Sequence, residues 1–389
     1  MKSAFFLAWR YVSYHRARTA ILVVCVALTM FLPLGVHLLV DAYDAELGAR
    51  AGSTPLLLGA KGNRFDLVLK SLWFRAGRVE PVRAGLVDEV RASGWADALP
   101  LHVRFTARGA PIVGTSVEYF AFRGLRPREG RLPGILGEAV AGSAAAASLD
   151  VTVDGTVLSD QQDVYDLAAS IPVRLHVVGV LAPSGTADDF AVFVDVRTAW
   201  VMEGIGHGHV DLTGDGAAAQ VLARENGHVR ANAAVETRVE IARESLASFH
   251  FHGDPAEFPL SALIVVPHDE KGRTIVSARY AAGSEWQIVA PQDVVRELLG
   301  VVVRVEAFFD VNFAVVALSN GLFLALVVLL SMRLRKSERE TMHRLGSSRR
   351  IVLRLQLAEL VLIIAASTVL AGLAAFVLLA LAPELFEVL

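Results

Sequence analysis

Three runs of about twenty apolar residues stand out along the chain, at 19–40, 313–332 and 360–382, and none contains Asp, Glu, Lys or Arg. Each is long enough to cross a hydrocarbon core of about 30 Å as a helix. Pro33 lies inside the first, which a spanning helix tolerates because neighbouring groups satisfy the freed carbonyl. Between the first and second runs the pattern changes to short, β-branched, partly alternating segments. Residues 171–182, 188–196, 234–242 and 261–269 read as strands. Residues 80–94 and 291–309 carry helical spacing, and Pro291 suits the first position of a helix that continues into the second span. The pattern predicts an α-helical membrane protein with three transmembrane helices and a large α+β domain held between the first two.

Charge sets the expected orientation, because Lys and Arg accumulate on cytoplasmic flanks. Lys2, Arg10, Arg16 and Arg18 precede the first span, and Asp41, Asp44 and Glu46 follow it. Arg333, Arg335, Lys336, Arg339, Arg344, Arg349, Arg350 and Arg354 cluster around the second connection. The resulting plan has an interfacial elbow helix over 1–18, with Phe5, Trp9 and Val12 on one face, and a retained first span at 19–40. An extracytoplasmic domain covers 41–305, and the second span with its outer extension covers 306–332. A basic cytoplasmic loop covers 333–354, the third span 355–382 and an outer tail 383–389. In that loop Gly346 can end one helix in a left-handed turn, and Ser347 or Ser348 can cap the next. The expected location is a bacterial cytoplasmic (inner) membrane, with lipid contacts around the spans.

Composition agrees with this plan: 54% of the 389 residues are hydrophobic and only 20% charged, against about 25% charged in an average soluble chain. A formal net charge of −3 argues against nucleic-acid partners. The single cysteine, Cys25, excludes an intrachain disulfide. The stretch 59–64 (GAKGNR) lacks phosphate-loop spacing, so no ATPase is expected on this chain. The serines of SGTADD (184–189) and GTS (114–116) lack a nucleophile elbow, which sets an outer hydrolytic site aside.

Two histidine pairs carry candidate chemistry: His207 with His209, and His250 with His252. Residues two apart on a strand share a face, and imidazole is a common zinc ligand. If the pairs meet, they form a candidate zinc site; exposed loop histidines are the plainer reading. Elsewhere, His37 reads as interfacial, Ser319 and Asn320 as interhelical hydrogen-bond donors, Glu359 as a boundary residue and Gly372 as a point of close helix packing.

The basic loop resembles the cytoplasmic loop of FtsX/MacB/LolC-type ABC transporter permeases, a pattern close to R-x-x-E-x-x-x-x-R-x-x-G-x-S-R-R-x-I followed by a glutamate at the next span. Glu340, Arg344 or its neighbours, Gly346, Ser348, Arg349, Arg350 and Glu359 stand at such positions. The stretch 113–157, with its GR, EAV-G and small-residue run, is similar to the family's MacB-like periplasmic domain. So is 175–196, with its Pro-x-Gly-Thr and Asp. Family members usually have four spans; three are read here. The resemblance implies a permease of the mechanotransmission type, working as a homodimer or with a paralogous permease. A separate ABC ATPase subunit would hold ATP and Mg, with residues 340–350 as the coupling element and no cofactor on this chain. It equally implies an FtsX-like regulator that activates a periplasmic or outer-membrane partner without moving cargo. The histidines add a third version, a metal-related permease.

Overall fold

The computed structural model describes residues 2–161, 172–208, 221–225, 228–231, 239–241, 246, 249–283, 285–334, 344 and 349–388. In chain order the elements are α1 (Lys2–Tyr14), α2 (Arg16–Gly52), β1 (Leu56–Ala60), α3 (Arg64–Trp73), β2 (Val82–Arg83), α4 (Gly85–Ala92), β3 (Ala96–Ala107) and β4 (Ala110–Thr115). Then come α5 (Glu118–Arg123), β5 (Pro127–Gly130), β6 (Glu138–Ala141), α6 (Ser143–Leu149), β7 (Thr156–Leu158), β8 (Val173–Leu181), β9 (Val192–Asp195), α7 (Val196–Met202) and β10 (Gly206–Gly208). They are followed by β11 (Val221–Glu225), β12 (His228–Ala231), β13 (Val239–Glu240), β14 (Phe249–Phe251), β15 (Pro259–Leu260), β16 (Ala262–Pro267), α8 (Glu270–Ala281), β17 (Trp286–Val289), α9 (Pro291–Leu334) and α10 (Arg349–Val388). The chain divides into two compact units, one of residues 1–47 with 297–389 and the other of residues 48–296.

The first unit is helical. Three of its helices are long and apolar enough to cross a membrane by length and composition: Arg16–Gly52, Phe308–Leu326 within α9, and Arg354–Leu381 within α10. α2 and α9 continue well past the apolar stretch; 44 residues of α9 extend over about 66 Å at the standard helical rise. Their mutual contacts are small and polar where they are specific. Asn320 of α9 donates to the Thr29 hydroxyl of α2. Ser367 of α10 donates to the Val23 carbonyl at 3.1 Å, whereas Ser319 bonds Val315 within its own helix. Elsewhere α9 turns its apolar side chains outward, with Leu318, Leu322 and Leu326 all exposed. α1 precedes a break at His15 and packs on α10, with Ala8 buried, while Phe6, Leu7 and Trp9 stay exposed.

The second unit is built on a mixed sheet whose described strands run β13-β8-β6-β9-β4-β3-β16-β1-β17, with β5 and β7 also paired to β8. β1 and β16 are runs of apolar residues buried on both faces, the signature of central strands. Two apolar clusters fill it. One gathers Phe105, Ile112, Leu175, Val177, Val194 and Met202; the other gathers Leu58, Leu86, Val90, Leu263, Val265 and Trp200. α3 starts cleanly because Asn63 caps it, its side chain accepting from the Phe65 N–H.

Sequence periodicity located β8, β16 and the long α9 well. Two expectations need correction. Residues 80–94 are not one helix: Val82–Arg83 pairs with β15, and the helix starts at Gly85. Residues 188–196 are not one strand: Ala187–Phe190 is a 3-10 turn capped by Thr186, and the strand starts at Val192. Of 234–242, Val239–Glu240 is strand, and 234–238 lies outside the described residues.

Candidate functional site

The last turn of α2 ends inside the α/β unit. Arg50 is 6% exposed and Asp188 1%, and the two form a bidentate pair, Nη1 to Oδ2 at 2.7 Å and Nη2 to Oδ1 at 2.9 Å. The fork geometry of a guanidinium matches a carboxylate in this way, and such charge-assisted bonds are the strong ones. Arg50 Nε also donates to the Leu72 carbonyl. Tyr119 donates its hydroxyl to Asp188 Oδ1 at 2.7 Å, and Thr186 donates to Oδ2 at 3.0 Å. Arg123 completes the clamp from α5, donating to Thr54 Oγ1 at 2.9 Å and Ser53 Oγ at 3.1 Å.

Apolar rings enclose this pair. Phe74 ends α3 in the left-handed region, φ 55°, uncommon for an aromatic residue, and its ring lies under the Arg50 guanidinium at 5.5 Å. Phe193 meets Phe74, Tyr119 and Phe120 with ring centres 6.0, 5.6 and 5.6 Å away. Burial works against the Asp188 charge, yet the bonds and charge of Arg50 outweigh it and hold the carboxyl below its usual range. Burial and the Asp188 charge together push the Tyr119 phenol up. A charge pair this deeply enclosed is costly to break from one side.

Sequence reasoning missed Arg50, Tyr119 and Arg123. It had noted the Pro-x-Gly-Thr and Asp pattern, and that stretch is the socket. Thr186 caps the turn that presents Asp188, while Asp189 accepts from Ser184 N at 2.9 Å and Gly185 N at 2.8 Å. Gly142, the glycine of EAV-G, lies against this turn so closely that a Cβ there would sit 2.3 Å from the Asp188 carbonyl oxygen. The GR and EAV residues meet as well. Arg131 Nη1 donates to Glu138 Oε2 at 2.6 Å, and Gly134 N donates to the same oxygen at 2.9 Å.

The coupling residues fall where little is described. Glu340, Gly346 and Ser348 lie outside the described residues. Arg344 is exposed, and Arg349 and Arg350 open α10. Glu359 is half-buried on α10. Gly372 differs from its expected packing role: it is exposed, and a Cβ there would meet nothing within 4 Å. The close approach is at Gly35, where a Cβ would meet Leu378 at 3.2 Å, and at the buried Ala371 and Ala375. His37 Nδ1 lies 2.9 Å from the Pro33 carbonyl, and Nε2 lies 3.7 Å from Asp310.

Three of the four candidate metal-ligating histidines come together. His207 on β10 stands directly opposite His250 on β14, and His252 follows on the same face. The ring centres of His207 and His250 are 4.8 Å apart, those of His207 and His252 4.8 Å, and those of His250 and His252 4.6 Å. One ring nitrogen from each lies within 4.8 Å of the others. His209 lies outside the described residues.

No family model matches the chain, and no curated protein matches it. Among solved structures it is similar to the periplasmic region of MacB from Actinobacillus actinomycetemcomitans, at 11% identity and TM-score 0.36, covering 64% of this chain and 93% of that one. It is also similar to the extracellular domain of the noncanonic ABC-type transporter YknZ from Gram-positive bacteria, at 9% identity and TM-score 0.32, covering 60% of this chain and 98% of that one.

Proposed function

We propose that this chain is the permease subunit of a mechanotransmission ABC transporter, sitting in the inner membrane with its α/β unit outside. A separate ATPase binds and hydrolyses ATP. Residues 340–350 form the coupling element seated on that ATPase, and two copies or a paralogous pair match its dimer.

The observation that carries this reading is the end of α2. A helix that begins in an apolar segment finishes in a buried bidentate ion pair of the α/β unit, with Leu72, Tyr119 and Thr186 hydrogen-bonded to it. On this reading the fixed end of α2 is where motion enters the α/β unit. The arginine-rich connection before α10 is the cytoplasmic contact with the ATPase, since a cytoplasmic face is where Lys and Arg collect. The exposed apolar side chains of α9 suit lipid and a second permease copy.

The test is co-purification and ATPase stimulation with the cognate ATPase. Gly346→Pro, and separately Arg349→Glu with Arg350→Glu, should abolish stimulation while the α/β unit keeps its thermal unfolding. Undiminished stimulation in both variants overturns the coupling role.

A further inference from the structure

The geometry points to a transition-metal site on the α/β unit, formed by His207, His250 and His252, that takes a divalent ion of the zinc class. This inference stands apart from the transport reading and rests on how two short strands are matched.

The sequence Gly206-His207-Gly208 faces Phe249-His250-Phe251 in antiparallel register, with Gly206 opposite Phe251, His207 opposite His250 and Gly208 opposite Phe249. Side chains alternate on a strand, so the phenylalanines take one face and the histidines the other. The two glycines make room for the rings. A Cβ at Gly206 would sit 2.6 Å from Phe251 Cε1, and one at Gly208 2.7 Å from Phe249 Cε2. Phe251 is then held in an aromatic group, 6.5 Å from Trp200 and 6.0 Å from Phe258. It packs against both apolar clusters of the unit. The backbone bond from His252 N to the Ile205 carbonyl, 3.0 Å, extends the pairing by one step.

This packing fixes the register, because a slip of one residue would drive both rings off the core. The histidine face is therefore set by the phenylalanine face. It holds three imidazoles around one point, with His250 half-buried and His207 and His252 exposed. Nitrogens bound to a tetrahedral zinc at about 2.0 Å stand about 3.3 Å apart. The present spacing of up to 4.8 Å closes to that by small rotations about side-chain torsions. Imidazole nitrogen suits zinc, copper and nickel among the available ions. Among the described residues three protein ligands come together, three-quarters of a tetrahedral set.

Zinc is the probe. Full-length chain without a histidine tag, purified in detergent, is dialysed against Zn(II). Bound metal is measured by atomic emission, and affinity by competition with a chromophoric chelator. One zinc per chain is expected. His207→Ala, His250→Ala and His252→Ala should each weaken binding by at least about tenfold, and His268→Ala, just after β16 and beside Asp97, should not. Zinc should raise the unfolding temperature of the parent chain and leave those three variants unmoved. X-ray absorption on the zinc-loaded parent should report three imidazole nitrogens, a readout that needs no variant to fold. Binding well below one equivalent, variants with parental affinity, or a shell without imidazole would each overturn the site. None of these measurements involves ATP, so this inference and the transport reading fail separately.

Discussion

Asp188→Asn tests the clamp at the end of α2. The substitution keeps the shape of the side chain and removes its charge. Asn retains one oxygen acceptor, and in either orientation its NH2 group points a donor at an Arg50 nitrogen and at the hydroxyl of Thr186 or of Tyr119. Asp188 at present accepts from Arg50 at 2.7 and 2.9 Å, from Tyr119 at 2.7 Å and from Thr186 at 3.0 Å. The variant leaves the guanidinium charged in a pocket where the Arg50 side chain is only 5% exposed. Removing one member of such a pair costs about 3–5 kcal/mol. In a domain of this size each kcal/mol moves the midpoint by about 2–4 °C, so unfolding followed by tryptophan fluorescence should fall by about 10 °C. Replacing both partners, Arg50→Met with Asp188→Leu, removes the stranded charge and should recover at least half of the loss. If motion enters the α/β unit through the end of α2, as proposed, stimulation of the cognate ATPase should stay low in both variants, because the Arg50–Asp188 pair is gone either way. A midpoint shift under about 3 °C for Asp188→Asn, or a double variant no more stable than the single one, would refute the energetic argument. Full stimulation in the double variant would refute the mechanical one.

Two other outcomes follow from the same region. Burial opposes the Glu138 charge, but the Arg131 bonds and the Gly134 and Ile135 N–H groups hold its carboxyl down at about 2, against 4.5 for an ordinary glutamate. A depressed folded-state value contributes stability above the unfolded value and loses it as pH falls through the folded one. The parent's midpoint should therefore drop more steeply than that of Glu138→Gln between pH 4.5 and about 2, and parallel acid limbs in a pH series would count against it. Gly142→Ala should cost about 1–3 kcal/mol, because its Cβ would press on the Asp188 and Asp189 carbonyl oxygens at 2.3 and 2.4 Å. Gly372→Leu, in open space, should leave stability unchanged or raise it slightly, and thermal scans of the two variants beside the parent check both signs.

What the sequence made legible was local. Apolar length gave the three long helices, and β-branched runs gave β8 and β16, because periodicity and propensity act over a few residues. Pairings across the chain were not legible. Val82–Arg83 has helical neighbours and is a strand only because β15 lies beside it. The alternation of His207 and of His250 with His252 was readable, but nothing local says that the two strands meet. The clue was a complementarity: glycines flank the first histidine and phenylalanines flank the second. Small residues on α10 announced close packing without saying which face carried it, so Gly372 was chosen where Gly35, Ala371 and Ala375 do the packing.

The Arg50–Asp188 pair spans 138 positions, and no spacing rule reaches that far. Yet two of the stretches that carry the family resemblance, 113–157 and 175–196, meet around it. Gly130-Arg131 and Glu138 tie the approach to β6 by an ion pair. Gly142, four residues after Glu138, backs the acidic turn, and Gly142 N donates to the Ala191 carbonyl just beyond it at 2.8 Å. Thr186 caps that turn and bonds Asp188 directly. These residues are spread over separate strands and loops. What they share is one socket, and its occupant is the last charged residue of α2.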